Sequence, residues 1–291
     1  MLADGQFALD GHVFGTARDE AIVLESGFDA GAGDVRDQDH PHPADDRMLF
    51  GRDLRTPGVF AFTIGCKRPR GARDVARELG RVWRGDAVRR TPGAVQELAW
   101  SLNGQERLVY GRGRRFVVEQ GDRIDHDWVV VNADFQLASD AAYGTGENRI
   151  TLGLVSTALG ESGVVLPAVL PWETQLGAQD RKGIVTVATD QPTPFSVTVT
   201  GPLAGQASGI RLWSTGWSLG IDTPLGPGDV LTVDTGFGVA ALNGGPTGAL
   251  TRGTKLRARL LPGPQEVTFA ANDPTATVTA TVRWRDTYNI A

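Results

Sequence analysis

The sequence predicts a mainly β protein: an N-terminal β domain with one packed amphipathic helix, followed by a C-terminal β-sandwich. Three observations predict it. Short runs alternating apolar and polar residues recur along the chain, bounded by Gly, Pro, Asn and Asp. A single stretch, Arg73 to Arg84, switches to a helical period. Composition changes at Ala141–Glu147, beyond which charge density falls and threonine, glycine and proline rise, dividing the chain into 1–145 and 146–291.

Taken in order, Phe7–Gly15 reads as a hairpin turning at Asp10-Gly11, a favoured type I′ pair. Ala21–Glu25 is a second short strand. Gly27–Arg47 loses all periodicity and holds several Gly and Asp residues with His40-Pro41-His42-Pro43, so it reads as a long surface loop. Val59–Ile64 then alternates large Phe60, Phe62 and Ile64 with smaller residues, as a strand does. After a break at Arg68–Gly71, Val75, Leu79, Val82 and Trp83 fall at i, i+4, i+7 and i+8, one apolar stripe on a helix. Arg73, Arg77, Arg81 and Arg84 lie beside or opposite that stripe, with their heads in water. The stripe needs an apolar partner, and the strand bearing Phe60 and Phe62 is the nearest.

Arg89–Gly93 is a turn. Val95–Leu102 and Gln105–Tyr110 flank Asn103-Gly104, the strongest short-range hairpin signal. Phe116–Val118 continues as strand. Val129, Val131, Ala133, Phe135 and Leu137 share one face of another. The second half offers strands at Ile184–Thr189, Phe195–Thr200, Ile210–Trp213, Trp217–Ile221, Val230–Asp234, Leu256–Leu260, Gln265–Phe269 and Thr275–Arg285, with no helix. Short strands spaced by turns indicate a sandwich or jelly roll.

Composition narrows the function. Net charge is −5, which disfavours general or sequence-specific nucleic-acid binding, because counterion release needs a basic face. Nearly all positive charge is arginine. Cys66 is the single cysteine, so no intrachain disulfide, cysteine zinc site or dithiol motif can form. Met1–Gly5 does not predict a secretory signal, and no apolar run has the length of a membrane span, so a soluble protein made in a cytoplasm is expected.

No catalytic constellation emerges. Gly-x-Ser-x-Gly, Walker and dinucleotide fingerprints are missing, and Gly111-x-Gly113 precedes arginines and a strand instead of a helix. His40 and His42 stand among Asp37, Asp39, Asp45 and Asp46, a set that could bind a metal, although a polar proline-bearing loop is the commoner explanation. The expectation is no catalytic residue, no metal and no cofactor. Arg112, Arg114 and Arg115 read either as an oligomer interface or as charge guarding a strand edge. Trp213 and Trp217 read either as sandwich core or as a sugar-stacking face.

Several motifs together carry a resemblance: Asp4–Phe7 with Phe14-Gly15; Phe50-Gly51-Arg52-Asp53 leading to Pro57-Gly58; Trp83 followed by Thr91-Pro92-Gly93; and Tyr110–Phe116. With them go Asp234-Thr235, Asn243-Gly244, Leu261-Pro262-Gly263 and Thr281–Arg285. The chain resembles, along essentially its whole length, the distal tail protein of long-tailed phages that infect actinobacteria. The resemblance implies a ring-forming, belt-like domain over 1–145 and a galectin-like sandwich over 146–291. It implies a homo-oligomeric ring, a hexamer, at the virion tail tip. Its partners are then the tail tube, tape-measure and tail-tip proteins, with Phe50, Arg52, Asp53, Arg112, Arg114 and Arg115 at the oligomer interface. A galectin-like shape does not transfer sugar binding. The alternative is a carbohydrate-binding module gripping a host wall glycan through Trp213 and Trp217.

Overall fold

A computed structural model of the protein describes residues 1–31, 33–41, 45–51, 54–119, 127–153, 182–212, 215–248, 250–251, 254–272 and 277–290. The chain forms two compact units: Met1–Thr145 joined by the chain from Tyr288 onward, and Gly146–Thr287.

In the first unit, β1 (Phe7–Leu9) and β2 (His12–Phe14) form the expected hairpin, with Asp10 at φ 47° and Gly11 at φ 85°, as a type I′ turn requires. Strand β3 (Ala21–Ala30) runs past Glu25, its expected end, through an irregularity between Val23 and Phe28. Four two-residue strands follow: β4 (Val35–Arg36), β5 (His40–Pro41), β6 (Met48–Leu49) and β7 (Leu54–Arg55). Next come β8 (Val59–Lys67) and helix α1 (Ala72–Arg84). A second, short helix was not expected: α2 (Asp86–Arg90) takes up Arg89 and Arg90, which the sequence assigned to a turn. Gly85, left-handed at φ 51°, ends α1 by donating its N–H to the Val82 carbonyl and lets α2 restart at once. Strands β9 (Gln96–Leu102), β10 (Gln105–Val118), β11 (Trp128–Leu137) and β12 (Ala141–Gly144) complete the run.

The main sheet is ordered β2-β1-β9-β10-β11-β8-β3, with β12 beside β10. Its two ends meet. The Gly15 N–H donates to the Ala21 carbonyl at 2.8 Å and the Val23 N–H donates to the Gly15 carbonyl at 2.9 Å. The sheet thus curls toward a closed barrel. Phe60, Phe62 and Ile64 of β8 and the alternate residues Val129 to Leu137 of β11 are buried, as their period predicts.

Helix α1 buries Val75, Leu79 and Trp83, each worth about 1.5–3 kcal/mol of apolar transfer. The Trp83 ring lies 5.5 Å from that of Phe62, 6.1 Å from Phe14 and 6.4 Å from Phe135. The expected partner strand is therefore joined by β2 and β11. The indole Nε1–H donates to the Asp134 carbonyl at 3.0 Å, so burial leaves no orphaned donor.

The second unit holds β13 (Asn148–Gly153), β14 (Lys182–Val187), β15 (Phe195–Thr200), β16 (Ala204–Leu212) and β17 (Trp217–Ile221). They are followed by β18 (Val230–Asp234), β19 (Val239–Leu242), β20 (Gly245–Pro246), β21 (Gly263–Asn272) and β22 (Thr279–Trp284). The two sheets, β13-β22-β15-β18-β19-β20 and β14-β21-β16-β17, share one core, in which Val197 and Val282 of one meet Val185 and Val267 of the other. This is a β-sandwich. Leu256–Leu260 is not a strand; it contributes a single bridge, Leu260 to Thr193. Among the described residues no helix is long and apolar enough to cross a membrane.

The last strand, β23 (Thr287–Asn289), pairs with β12 in the first unit's sheet. The sequence reading placed everything after residue 145 in the second domain, and the end of the chain departs from that. Tyr288 is held by the Arg107 guanidinium, 3.6 Å from its ring centroid.

Two measurements check this packing. Leu79→Ala should destabilise the first unit by about 2–5 kcal/mol in denaturant unfolding, the transfer plus cavity cost of a fully buried leucine. Arg77→Ala, which loses only an exposed pair with Asp74, should stay within about 0.5 kcal/mol of the parent. Equal effects would mean the wrong helix face has been assigned. A chain ending at Thr287 should show a lowered calorimetric transition for the first unit and an unchanged one for the second. An unchanged first transition would show that β23 adds nothing.

Candidate functional site

Two features of the first unit stand out as surfaces for recognition. The first is built from 31–58, part of which was expected to be a loop. Here β3 and β8 continue outward as a two-stranded arm: Val35 pairs with Arg55 and Arg36 with Leu54, then His40 with Leu49 and Pro41 with Met48. Gly33, within the expected loop, and Gly58, in the expected turn, serve close backbone approach. A Cβ at Gly33 would lie 1.6 Å from the Thr56 carbonyl oxygen, and one at Gly58 would lie 2.0 Å from that of Gly31. Thr56 donates to the Asp34 carbonyl through both its N–H and its hydroxyl, each at 2.8 Å. The Gly51 N–H donates to Asp39 Oδ1 at 2.8 Å. Short pairings of period-free sequence carry no alternation, so a pattern search misses them.

The arm is apolar and carries exposed charge of both signs, with Arg36, Arg47 and Arg55 beside its aspartates. Val35, Met48 and Leu49 are about half exposed and Phe50 is 84% exposed. Asp34, Asp37 and Asp46 are exposed beside them. Asp45 is occupied by the Arg47 guanidinium, whose hydrogen bonds hold its carboxyl below the usual carboxylate range.

The second feature is a groove of about 850 Å³ beside α1. Arg73, Arg77 and Arg84 of the helix, Arg89 of α2 and Arg114 of β10 line it. Its apolar lining includes Phe116, Val118 and Trp128. Gly80 lets the Phe116 ring lie against the helix, since a Cβ there would be 2.9 Å from Cε1. Arg114 reaches the rim because β10 shifts register between Gly113 and Phe116. Among the described residues Glu119 is the one acidic residue lining the groove, and it accepts from Asn132 Nδ2 at 2.7 Å. Arg77 is matched by Asp74 at 2.6 Å, and Arg89 donates to the Gly113 carbonyl at 2.8 Å. Among the described residues, no ion pair or hydrogen bond holds the guanidinium of Arg73, Arg84 or Arg114. Such a set suits carboxylates, to which guanidinium presents a planar fork of donors.

The structure places the residues expected at an interface very differently from one another. Phe50 stands on the arm. Arg52 and Asp53 lie outside the described residues. Arg114 belongs to the groove and Arg115 is exposed beside it. Arg112 is a structural brace: its Nε donates to the Ala94 carbonyl at 2.7 Å and its Nη2 to that of Thr91 at 2.9 Å, fixing the turn before β9.

Trp217 corrects the stacking reading. Only 7% exposed, it packs edge-on to Phe195 at 5.2 Å and donates Nε1–H to the Lys255 carbonyl at 2.7 Å, so its faces are core. Trp213 lies outside the described residues, as do His42 and His126. His40 is exposed on β5. Among the described residues no three His, Cys, Asp or Glu side chains converge as metal ligands. Burial pushes the Cys66 thiol up to about 12, which leaves it protonated and inert.

No family model matches the chain, and no curated protein matches it. Solved structures do. The SPP1 Dit (gp 19.1) protein, described as a paradigm of the hub adsorption apparatus in phages infecting Gram-positive bacteria, is 12% identical, with a TM-score of 0.59 over 97% of this chain and 98% of that one. A chain of the phage P2 baseplate, in its activated conformation with Ca, is 8% identical, with a TM-score of 0.54 over 96% of this chain and 97% of that one. The corresponding Sr structure gives 9% identity and the same TM-score. At these identities the likeness is one of fold, and it extends end to end: this chain has the fold of the SPP1 Dit protein.

Proposed function

We propose that this chain is a structural protein of a phage tail, a distal tail hub. Its first unit assembles as a ring, a hexamer, joining the tail tube and tape-measure protein to the tail-tip proteins. Its second unit is a galectin-like sandwich. The observation that carries this reading is the fold shared with the SPP1 Dit protein over nearly the whole of both chains. Independent support comes from the arm, whose exposed apolar residues call for cover by another molecule. The arginine groove is a second unmatched surface on the same unit.

On this reading the protein has no catalytic activity and needs no metal or cofactor. It is made in the host cytoplasm and ends in the virion. Glycan gripping through the sandwich has less support, since Trp217 is part of the core.

The experiment combines the mass of the purified protein in solution with imaging of assembled tails carrying a labelled copy. The expected outcome is density for the label at the distal end of the tube, arranged as a closed ring. Isolated protein can remain monomeric if the tube templates assembly, so the particle image decides. Label absent from the tail tip, or subunits in an open array there, would overturn the proposal.

A further inference from the structure

We propose that the groove beside α1 is a docking site for an extended segment of a partner protein in which carboxylates alternate with apolar residues. On the hub reading above that partner is another tail protein; the chemistry of the groove does not depend on it.

Charge sets the class of partner. The guanidiniums of Arg73, Arg84 and Arg114 are exposed, and no ion pair or hydrogen bond holds them among the described residues. Arg89 donates to neutral carbonyls, those of Gly113 and Arg114, so its charge is unbalanced as well. Glu119 is already engaged by Asn132. Cations are thus gathered in one groove of a protein whose net charge is −5, and an arriving carboxylate relieves their mutual repulsion.

Shape sets the form of the partner. The groove is walled by two long elements, α1 and β10. Arg73 and Arg84 are about 16 Å apart along the helix axis at a rise of about 1.5 Å per residue, the length of about five residues of extended chain. Between them, Ala76 and Gly80 are small and buried, one turn apart, and leave the helix wall low. Opposite, Phe116 and Val118 stand two residues apart on β10 and supply apolar surface. Alternate side chains of an extended segment point to opposite sides. Its apolar residues can therefore reach Phe116 and Val118 while the carboxylates between them turn to the guanidiniums of the rim. A small inorganic anion would satisfy the charge and leave the apolar lining in water. A nucleic-acid strand needs exposed ring faces for its bases. The rings here are spent on the protein. A Cβ at Gly65 would lie 2.1 Å from Trp128 Cζ2, and one at Gly80 would lie 2.9 Å from Phe116 Cε1.

Fluorescence anisotropy on the isolated chain tests this. The probe is a labelled peptide of about six residues alternating aspartate with leucine. Saturable binding that weakens as salt rises is expected. An aspartate–serine peptide, a lysine–leucine peptide and a thymidine oligonucleotide of equal length should each bind about tenfold more weakly or worse. Arg84→Glu with Arg114→Glu should weaken the aspartate–leucine peptide by about tenfold or more and transfer preference to the lysine–leucine peptide. Arg149→Glu, exposed in the second unit, makes a like change of charge and should leave binding within about twofold. Thermal unfolding of each variant separates lost contact from lost fold. No saturable binding, a control probe bound as tightly, or a double reversal without effect overturns the proposal. Self-association of the chain alone in sedimentation, lost in the double reversal, would make a second copy the occupant and would overturn it too. A chain absent from the tail tip overturns the hub reading and leaves the peptide result untouched.

Discussion

The docking of Trp83 is the constraint on which the first unit depends. Its ring is fully buried among Phe14, Phe62, Phe116 and Phe135, which come from four separate strands. One side chain thus ties the hairpin, the central strands and the helix into one core. The site tolerates no intrusion: a Cβ at Gly113 would sit 2.0 Å from the Trp83 carbonyl oxygen and 2.7 Å from its Cδ1. Gln96 secures the same corner. Only 1% exposed, it donates through Nε2 to the Val82 carbonyl at 2.8 Å and to Asp10 Oδ2 at 3.0 Å, and its Oε1 accepts from the Gly113 N–H at 3.0 Å. Removing it would strand buried polar groups at about 1–3 kcal/mol. The end of α1, the β1–β2 turn and the middle of β10 are therefore fixed together.

That corner also builds the groove. Arg84 follows Trp83 in sequence, and Arg114 follows Gly113. Seating the indole against Gly113 brings both arginines to one groove, together with Arg73 and Arg77 from the turns before. The cationic cluster is thus a by-product of apolar packing geometry, which explains how like charges come to be gathered on a protein of net charge −5. Guanidinium suits such a place because its charge is delocalised over a planar, weakly hydrated group.

What could be read from sequence follows the physics of periodicity. Strand β8, helix α1 and strand β22 are long and strictly patterned, and each was legible to within a few residues. Asn103-Gly104 and Asp10-Gly11 announced their turns because only left-handed residues fit there. The arm was illegible for the opposite reason: its strands are two residues long and bury nothing, so no alternation exists to detect. Strand β13 was missed because one residue of it, Leu152, is buried. The groove joins residues about forty positions apart and had no local signature. Gln96 gave no signal either, since a buried amide is recognised only from its partners. Trp217 shows the limit of composition: a tryptophan in a sandwich reads as core or as platform until its coverage is known.

The return of β23 to the first unit's sheet has a mechanical consequence. A sandwich appended by one linker transmits load through a single strand of chain. Here residues 146–287 are inserted between β12 and β23, which pair with each other, so two chain crossings stand side by side at the same edge. The β12–β23 pair and the Arg107–Tyr288 contact thus hold the returning chain on the first sheet. The seven strands from β2 to β3 and the Trp83 core lie apart from that pair.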